Sequence, residues 1–338
     1  MAFCISGRSL LNRLVVAAAG YAAAAAMASP AGVVFTANER DNSITRVELD
    51  TGAKQTTKVD ITPHNVEVAP DGSLLLAVGM AGHGAHGSGK VAKGMLLVLH
   101  TRGSAAPVLY NGGDHPAHVV TDASGARAFV TDSAANLVRV IDLANGKTIT
   151  SVPTDKYPHG LRLSPDGRTL YVANLRGGTV SVIDANQLRE TSRIPVGKAP
   201  VQVGFSADGK EAYVSLSAEN RLGIIDRATG KLTHKVPVGS NPIQMHATPD
   251  GRHVYVANQG TAKKPSDTVS VVDPKARKVV ATVRTGMGAH GVDISRDGKY
   301  AFVTNIEAGT LSVIDIATQK VVATHPVGAG PNGVSYME

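Results

Sequence analysis

Short stretches of alternating hydrophobic and polar residues recur along the chain, with turn sequences between them. In "TVSVID", residues 179–184, the valines alternate with polar residues at the two-residue period of a β-strand. β-Branched residues dominate these stretches, whereas Gly, Pro, Asn and Asp dominate the intervening turns. The pattern therefore predicts many short strands rather than long helices.

Segments similar to "YVAN" set the period of an internal repeat. They begin at Phe35, Leu76, Phe129, Tyr171, Tyr213, Tyr255 and Phe302. The successive steps are 41, 53, 42, 42, 42 and 47 residues, and each unit contains four strand-like stretches separated by turns. Four strands at this period are typical of a propeller blade. We therefore predict an all-β fold in which residues 29–338 form a single seven-bladed β-propeller of four-stranded blades.

The two ends of the repeat array are out of phase with each other. The array begins with a second strand, "GVVFTAN", and stops after a first strand, "GPNGVSYME". We expect the C-terminal strand to complete the blade that the N-terminal strands begin. This closes the ring and leaves no exposed inner edge.

The repeat resembles a known family. "LYVANLRGGTVSVID", "VYVANQG" and "FVTNIEAGTLSVID" are similar to the repeats of the YVTN-type propellers, which are exported proteins of bacteria and archaea. The resemblance covers residues 31–338 and implies a seven-bladed propeller. Members and structural relatives include surface-layer proteins, nucleic-acid-binding periplasmic proteins, lactonases, and copper- or haem-bearing redox propellers. The fold alone therefore does not select a function.

The N-terminal residues have a different composition. Arg8 and Arg13 precede the apolar run "LVVAAAGYAAAAAMA", which ends in small residues at Ala26 and Ala28. This three-part pattern predicts a signal peptide over residues 1–28 and a periplasmic or secreted protein with no stable membrane anchor. Cys4, the only cysteine, lies within that segment. Cysteine ligands, cysteine nucleophiles and disulfides are therefore excluded from the predicted mature domain.

Three histidines occupy the same phase of the repeat. His64, His159 and His290 each stand seven residues before the Asp of a "PDG"-type turn, at the predicted mouth of the channel. The long loop "MAGHGAHGSGKVAKG" carries His83 and His86 to the same face. Imidazole is the commonest ligand for transition metals, so we predict a metal site formed by these five residues, with copper favoured over zinc. Noncovalent haem or quinone is a less favoured cofactor, and no CxxCH motif is present for covalent haem attachment.

The strand alternation also predicts which residues line the channel. The apolar position of each inner strand must pack between blades, so its polar neighbours face the axis. A ligand-binding channel is predicted from His118, Arg162, Gln202, Gln244 and Asn332. Acid–base candidates for a hydrolase or an oxidoreductase are Glu67, His246 and Asp293.

Several functions remain open from the sequence. The leading hypothesis is an exported binding protein that holds a metal ion or a small ligand at the channel mouth, with a redox role. A lactonase-like hydrolase or a cofactor-dependent oxidoreductase is the first alternative. Basic loops that include Lys263 and Lys264 make a nucleic-acid-binding or protein-binding scaffold the second alternative. The histidines also have a structural interpretation, in which they link the backbones of neighbouring blades.

Overall fold

The computed structural model describes residues 1–2, 30–81, 93–103 and 105–338. Nearly all of the predicted signal peptide, together with His83 and His86, lies outside these ranges. Within them, none of the helices has the length and apolar character needed to span a bilayer. Two short 3-10 helices, Glu39–Asp41 and Ser217–Glu219, occur in loops.

The described residues form seven antiparallel four-stranded sheets, which we number as blades. Blade 1 contains β1 (Val33–Asn38), β2 (Ser43–Glu48), β3 (Lys54–Lys58) and, from the C-terminus, β28 (Pro331–Met337). Blade 2 contains β4 (Ile61–Val68), β5 (Leu74–Ala81), β6 (Gly94–His100) and β7 (Val108–Gly113). Blade 3 contains β8 (Pro116–Thr121), β9 (Arg127–Asp132), β10 (Leu137–Asp142) and β11 (Thr148–Pro153). Blade 4 contains β12 (Pro158–Leu163), β13 (Thr169–Asn174), β14 (Thr179–Asp184) and β15 (Arg189–Pro195).

The remaining three blades have the same strand order. Blade 5 contains β16 (Pro200–Phe205), β17 (Glu211–Leu216), β18 (Arg221–Asp226) and β19 (Lys231–Pro237). Blade 6 contains β20 (Pro242–Ala247), β21 (Val254–Thr261), β22 (Lys264–Asp273) and β23 (Lys278–Arg284). Blade 7 contains β24 (Ala289–Ile294), β25 (Tyr300–Asn305), β26 (Thr310–Asp315) and β27 (Lys320–Pro326). The predicted seven-bladed propeller is confirmed.

The C-terminal strand closes the ring. Strand β28 pairs antiparallel with β1, and Phe35 stands opposite Ser335 in this ladder. Strand β28 also contacts the inner strands of blades 2 and 7 on either side. The C-terminal strand therefore completes the N-terminal blade, as the phase difference between the two ends of the repeat array predicted.

The hydrophobic core lies between the blades. In one cluster, Tyr255 and Val269 of blade 6 pack against Val292 and Val303 of blade 7. Val292 occupies the uniformly apolar position of the inner strands and is 1% exposed. The strand alternation therefore correctly assigns this position to the contact between blades.

Each inner strand contains a bulge near its start. In blade 4, the four residues from Pro158 to Leu161 stand opposite only three residues, 172–174. The same register shift occurs in all seven blades. His159 is the second residue of β12 and lies within this bulge. A bulge redirects side chains locally, so consecutive positions can approach the channel.

Candidate functional site

Three histidines from adjacent blades meet at the start of the inner strands. His64 of blade 2, His118 of blade 3 and His159 of blade 4 each offer one ring nitrogen, and these three atoms lie within 4.8 Å of one another. The Nε2 atoms of His64 and His159 are 3.3 Å apart. The ring of His118 lies 4.9 Å from that of His159 and 5.8 Å from that of His64, measured between centroids.

The bulge accounts for this meeting. His64 and His159 directly follow the proline of their inner strands, whereas His118 is the second residue after its proline. Strand alternation therefore predicts that His118 lines the channel apart from the other two histidines. In the structure the two positions converge, so His118 joins the histidine cluster.

The backbone of blade 5 orients His159. Its Nδ1 lies 3.2 Å from the carbonyl oxygen of Val201. A neutral imidazole can donate Nδ1–H to this oxygen, which leaves the Nε2 lone pair directed toward His64. Burial, followed by the nearby His64, lowers the pKa of His159 to about 3. The ring is therefore neutral at physiological pH.

The side chain of His118 is almost completely enclosed and is 1% exposed. Its Nδ1 lies 3.4 Å from Nε2 of Gln202, and its Nε2 has no hydrogen-bond partner among the described residues. Burial lowers the pKa of His118 well below its usual value. Burying a polar atom without a hydrogen-bond partner costs folding free energy, and most buried polar atoms in proteins have a partner.

A carboxylate from the closing blade approaches His64. The Oε2 atom of Glu39 lies 3.5 Å from His64 Nδ1 and accepts a hydrogen bond of 2.7 Å from Asn332 Nδ2. Asn332 Nδ2 also lies 3.1 Å from His64 Nδ1. Burial acts to raise the pKa of Glu39, but the hydrogen bonds from His64 and Asn332 and the nearby imidazole charges outweigh it and lower the pKa to about 2.

Two further predicted residues are buried, His290 of the predicted mouth and Gln244 of the predicted channel. His290 in blade 7 is 6% exposed, and its Nδ1 lies 3.2 Å from the carbonyl oxygen of Asn332. Burial lowers its pKa to about 4. Gln244 is 2% exposed, and its Nε2 has no partner among the described residues. The structure brings together only His64, His118 and His159 as potential ligands within the part of the chain that it describes.

A second polar group occupies the opposite end of the inner strands. Arg162 Nη1 donates to Glu67 Oε2 over 3.3 Å, which connects blades 4 and 2. His246 Nδ1 lies 2.8 Å from Asp293 Oδ1, which connects blades 6 and 7. These four residues line a recess of about 450 Å³, which we call the distal recess.

The two carboxyl groups of the distal recess differ in acidity. Burial raises the pKa of Glu67, and the charge of Arg162 offsets this only in part. Burial also acts to raise the pKa of Asp293, but the hydrogen bond and charge of His246 outweigh it and lower the pKa. The backbone N–H of Tyr336 donates to Asp293 over 2.8 Å and reinforces this effect.

Comparison with known proteins identifies the family of this chain. The family described as "Lactonase, 7-bladed beta-propeller" matches residues 86–285, which is more than half of the chain. The chain belongs to this lactonase family. A second family, described as "Cytochrome D1 heme domain", matches residues 243–332 of this lactonase-family propeller. The relatedness to lactonase-like and haem d1 propellers that the repeat implied is confirmed.

Solved structures show the same fold at low sequence identity. The hydrazine synthase of Kuenenia stuttgartiensis is 21% identical with a TM-score of 0.71, covering 82% of this chain and 91% of that chain. A putative 6-phosphogluconolactonase from Bacteroides fragilis is 16% identical with a TM-score of 0.73, covering 91% and 98%. A functionally unknown protein from Desulfotomaculum acetoxidans is 17% identical with a TM-score of 0.75, covering 91% and 99%. No curated protein matches the sequence of this lactonase-family propeller.

The low pKa of His290 predicts a pH dependence of stability. The unfolded chain protonates this imidazole near pH 6.5, whereas the folded protein does so only near pH 4. The free energy of unfolding should therefore fall as the pH is lowered from about 6.5 toward 4, and should not depend on His290 above that window. In metal-free protein, His290→Asn should reduce this slope by up to about 1.4 kcal/mol per pH unit, as measured by urea unfolding. The exposed His234→Asn is the control, and equal slopes in His290→Asn and wild type would contradict the prediction.

Proposed function

We propose that this lactonase-family propeller is an exported binding protein that holds one transition-metal ion, with copper favoured, between His64, His118 and His159. The observation that carries the proposal is the approach of three ring nitrogens within 4.8 Å at the channel mouth. The N-terminal sequence pattern supports a periplasmic or secreted location.

The protonation of the cluster suits a cation. Burial lowers the pKa values of His118 and His159, so their rings are neutral at physiological pH and lone pairs are available. A metal ion would also satisfy the buried Nε2 of His118, which has no partner among the described residues. The neutral rings of His118 and His159 do not repel a cation, whereas protonated rings would.

The donor set favours copper over other divalent ions. Three imidazole nitrogens without a thiolate suit copper or zinc, and affinity at nitrogen sites rises toward Cu²⁺ in the first-row series. Three protein ligands leave a coordination position open to a small molecule, which is the usual arrangement of a reactive metal site. Bound copper would supply one-electron redox chemistry at this position, which is consistent with the predicted redox role.

Removing His118 tests the ligand set. Wild-type protein loaded with Cu²⁺ and desalted should retain about one ion per chain by elemental analysis. His118→Ala should retain far less, because its loss removes one of three ligands, whereas the exposed His234→Ala should behave as wild type. Failure of wild type to retain Cu²⁺, Zn²⁺ or iron would overturn the proposal, and full retention by His118→Ala would exclude this set of ligands.

Glu39 should act as a positioning residue. His64 Nε2 faces His159, so a metal bound through Nε2 would leave the ring hydrogen on Nδ1, where the Glu39 carboxylate 3.5 Å away is placed to accept it. Loss of such an outer-shell partner typically weakens metal binding about 10–100-fold. Glu39→Gln should show this loss in a competitive copper titration and an altered electron paramagnetic resonance spectrum. Glu307→Gln, on the same face, is the matched control, and an unchanged affinity for Glu39→Gln would remove Glu39 from the site.

Lactone hydrolysis at the distal recess is the second candidate function. Membership in the lactonase family and the 2.8 Å contact between His246 and Asp293 favour it. His246 would accept a proton as water attacks the lactone carbonyl, and the departing ring oxygen would take up a proton as its C–O bond breaks.

A lactone assay tests this second candidate. Wild type should hydrolyse glucono-δ-lactone and γ-butyrolactone faster than the spontaneous rate. In His246→Gln the hydrolysis rate should be about 10²–10⁴-fold lower. His234→Gln should retain the activity. Equal rates in wild type and His246→Gln would exclude this role.

A further inference from the structure

The distal recess contains a cation with unused hydrogen-bonding capacity. A guanidinium carries five N–H donors, and one of those of Arg162 donates to Glu67 over 3.3 Å. No other acceptor for Arg162 occurs in the described part of the protein. The side chain is only 20% exposed, so bulk water reaches it poorly. The remaining donors therefore favour a ligand that carries acceptor oxygens.

Glu67 is a weak counterion for this guanidinium. Its contact with Arg162 is a single long hydrogen bond rather than the paired contact that a carboxylate can make with arginine. Burial also raises the pKa of Glu67. Arg162 therefore keeps N–H donors that Glu67 does not engage.

The opposite wall of the recess supplies an acceptor. His246 is 39% exposed, and its Nδ1 faces Asp293 at 2.8 Å. When Nδ1 carries the hydrogen of a neutral ring, Nε2 has a free lone pair that can accept a hydroxyl hydrogen. The same two residues, Arg162 and His246, also border an adjoining recess of about 400 Å³. The space suits a small organic molecule.

We propose that the distal recess binds a small hydroxycarboxylate, whose carboxylate pairs with Arg162 and whose hydroxyl donates to His246. A planar carboxylate matches the guanidinium fork. A monoanion is preferred over a phosphate dianion because Glu67 and Asp293 also border the recess and repel added negative charge. This site does not rest on the metal cluster, and ligand binding here does not require turnover.

Calorimetric titration of metal-free, full-length protein tests the proposal. The probes are lactate, propionate and inorganic phosphate, because lactate and propionate differ only in one hydroxyl. Wild type should bind lactate more tightly than propionate, and phosphate most weakly. Arg162→Gln should weaken lactate binding about 10–100-fold, since it removes a charged hydrogen bond. His246→Gln should narrow the difference between lactate and propionate.

Two controls keep the result interpretable. Arg252→Gln makes the same substitution at an exposed arginine and should bind lactate as wild type does. Arg162→Lys preserves the charge but not the fork, and should bind with intermediate affinity if Arg162→Gln proves too unstable to measure. The proposal is overturned if wild type does not bind lactate at tens of millimolar, if the Arg162 variants bind it equally well, or if phosphate binds more tightly.

Discussion

The bulge at the start of each inner strand is the feature on which the channel chemistry depends. Regular alternation would direct successive side chains to opposite faces of a blade. The extra residue between Pro158 and Leu161, repeated around the ring, allows two consecutive positions to approach the axis. His118 therefore meets His64 and His159, although it comes from a different position of the repeat. Ring closure by β28 then adds Asn332, whose amide nitrogen lies beside both Glu39 and His64.

The two ends of the channel differ because burial acts on different chemical groups. At the mouth, burial keeps the imidazoles of His118 and His159 neutral, which suits a metal cation. At the other end, burial raises the pKa of Glu67, and Arg162 makes only one long hydrogen bond to it, so its remaining donors suit an organic anion. The ligands that we propose for the two ends therefore differ in charge. Membership in the lactonase family is compatible with either site, since the fold does not select the chemistry.

The repeat period made the fold predictable from the sequence. The local backbone geometry of the site could not be predicted in the same way. The spacing of "YVAN" segments, the turn residues and the mismatched ends were sufficient to predict seven blades and their closure. The apolar position exemplified by Val292 was also assigned correctly to the contact between blades. The convergence of His118 with His64 was missed because no sequence pattern marks the bulge. Glu39 was missed because it lies in a short 3-10 helix outside the strand pattern, and this helix contacts β4 of the next blade.

In the site that we propose, three imidazoles from three neighbouring blades bind one metal ion. X-ray absorption at the copper edge of copper-loaded, full-length protein tests it most directly, because multiple scattering from imidazole rings allows the histidine ligands to be counted. We expect about three imidazole ligands in wild type, and about two in any copper that His118→Ala retains. Sulfur ligands, or the same number of imidazoles in both proteins, would rule out the three-histidine site.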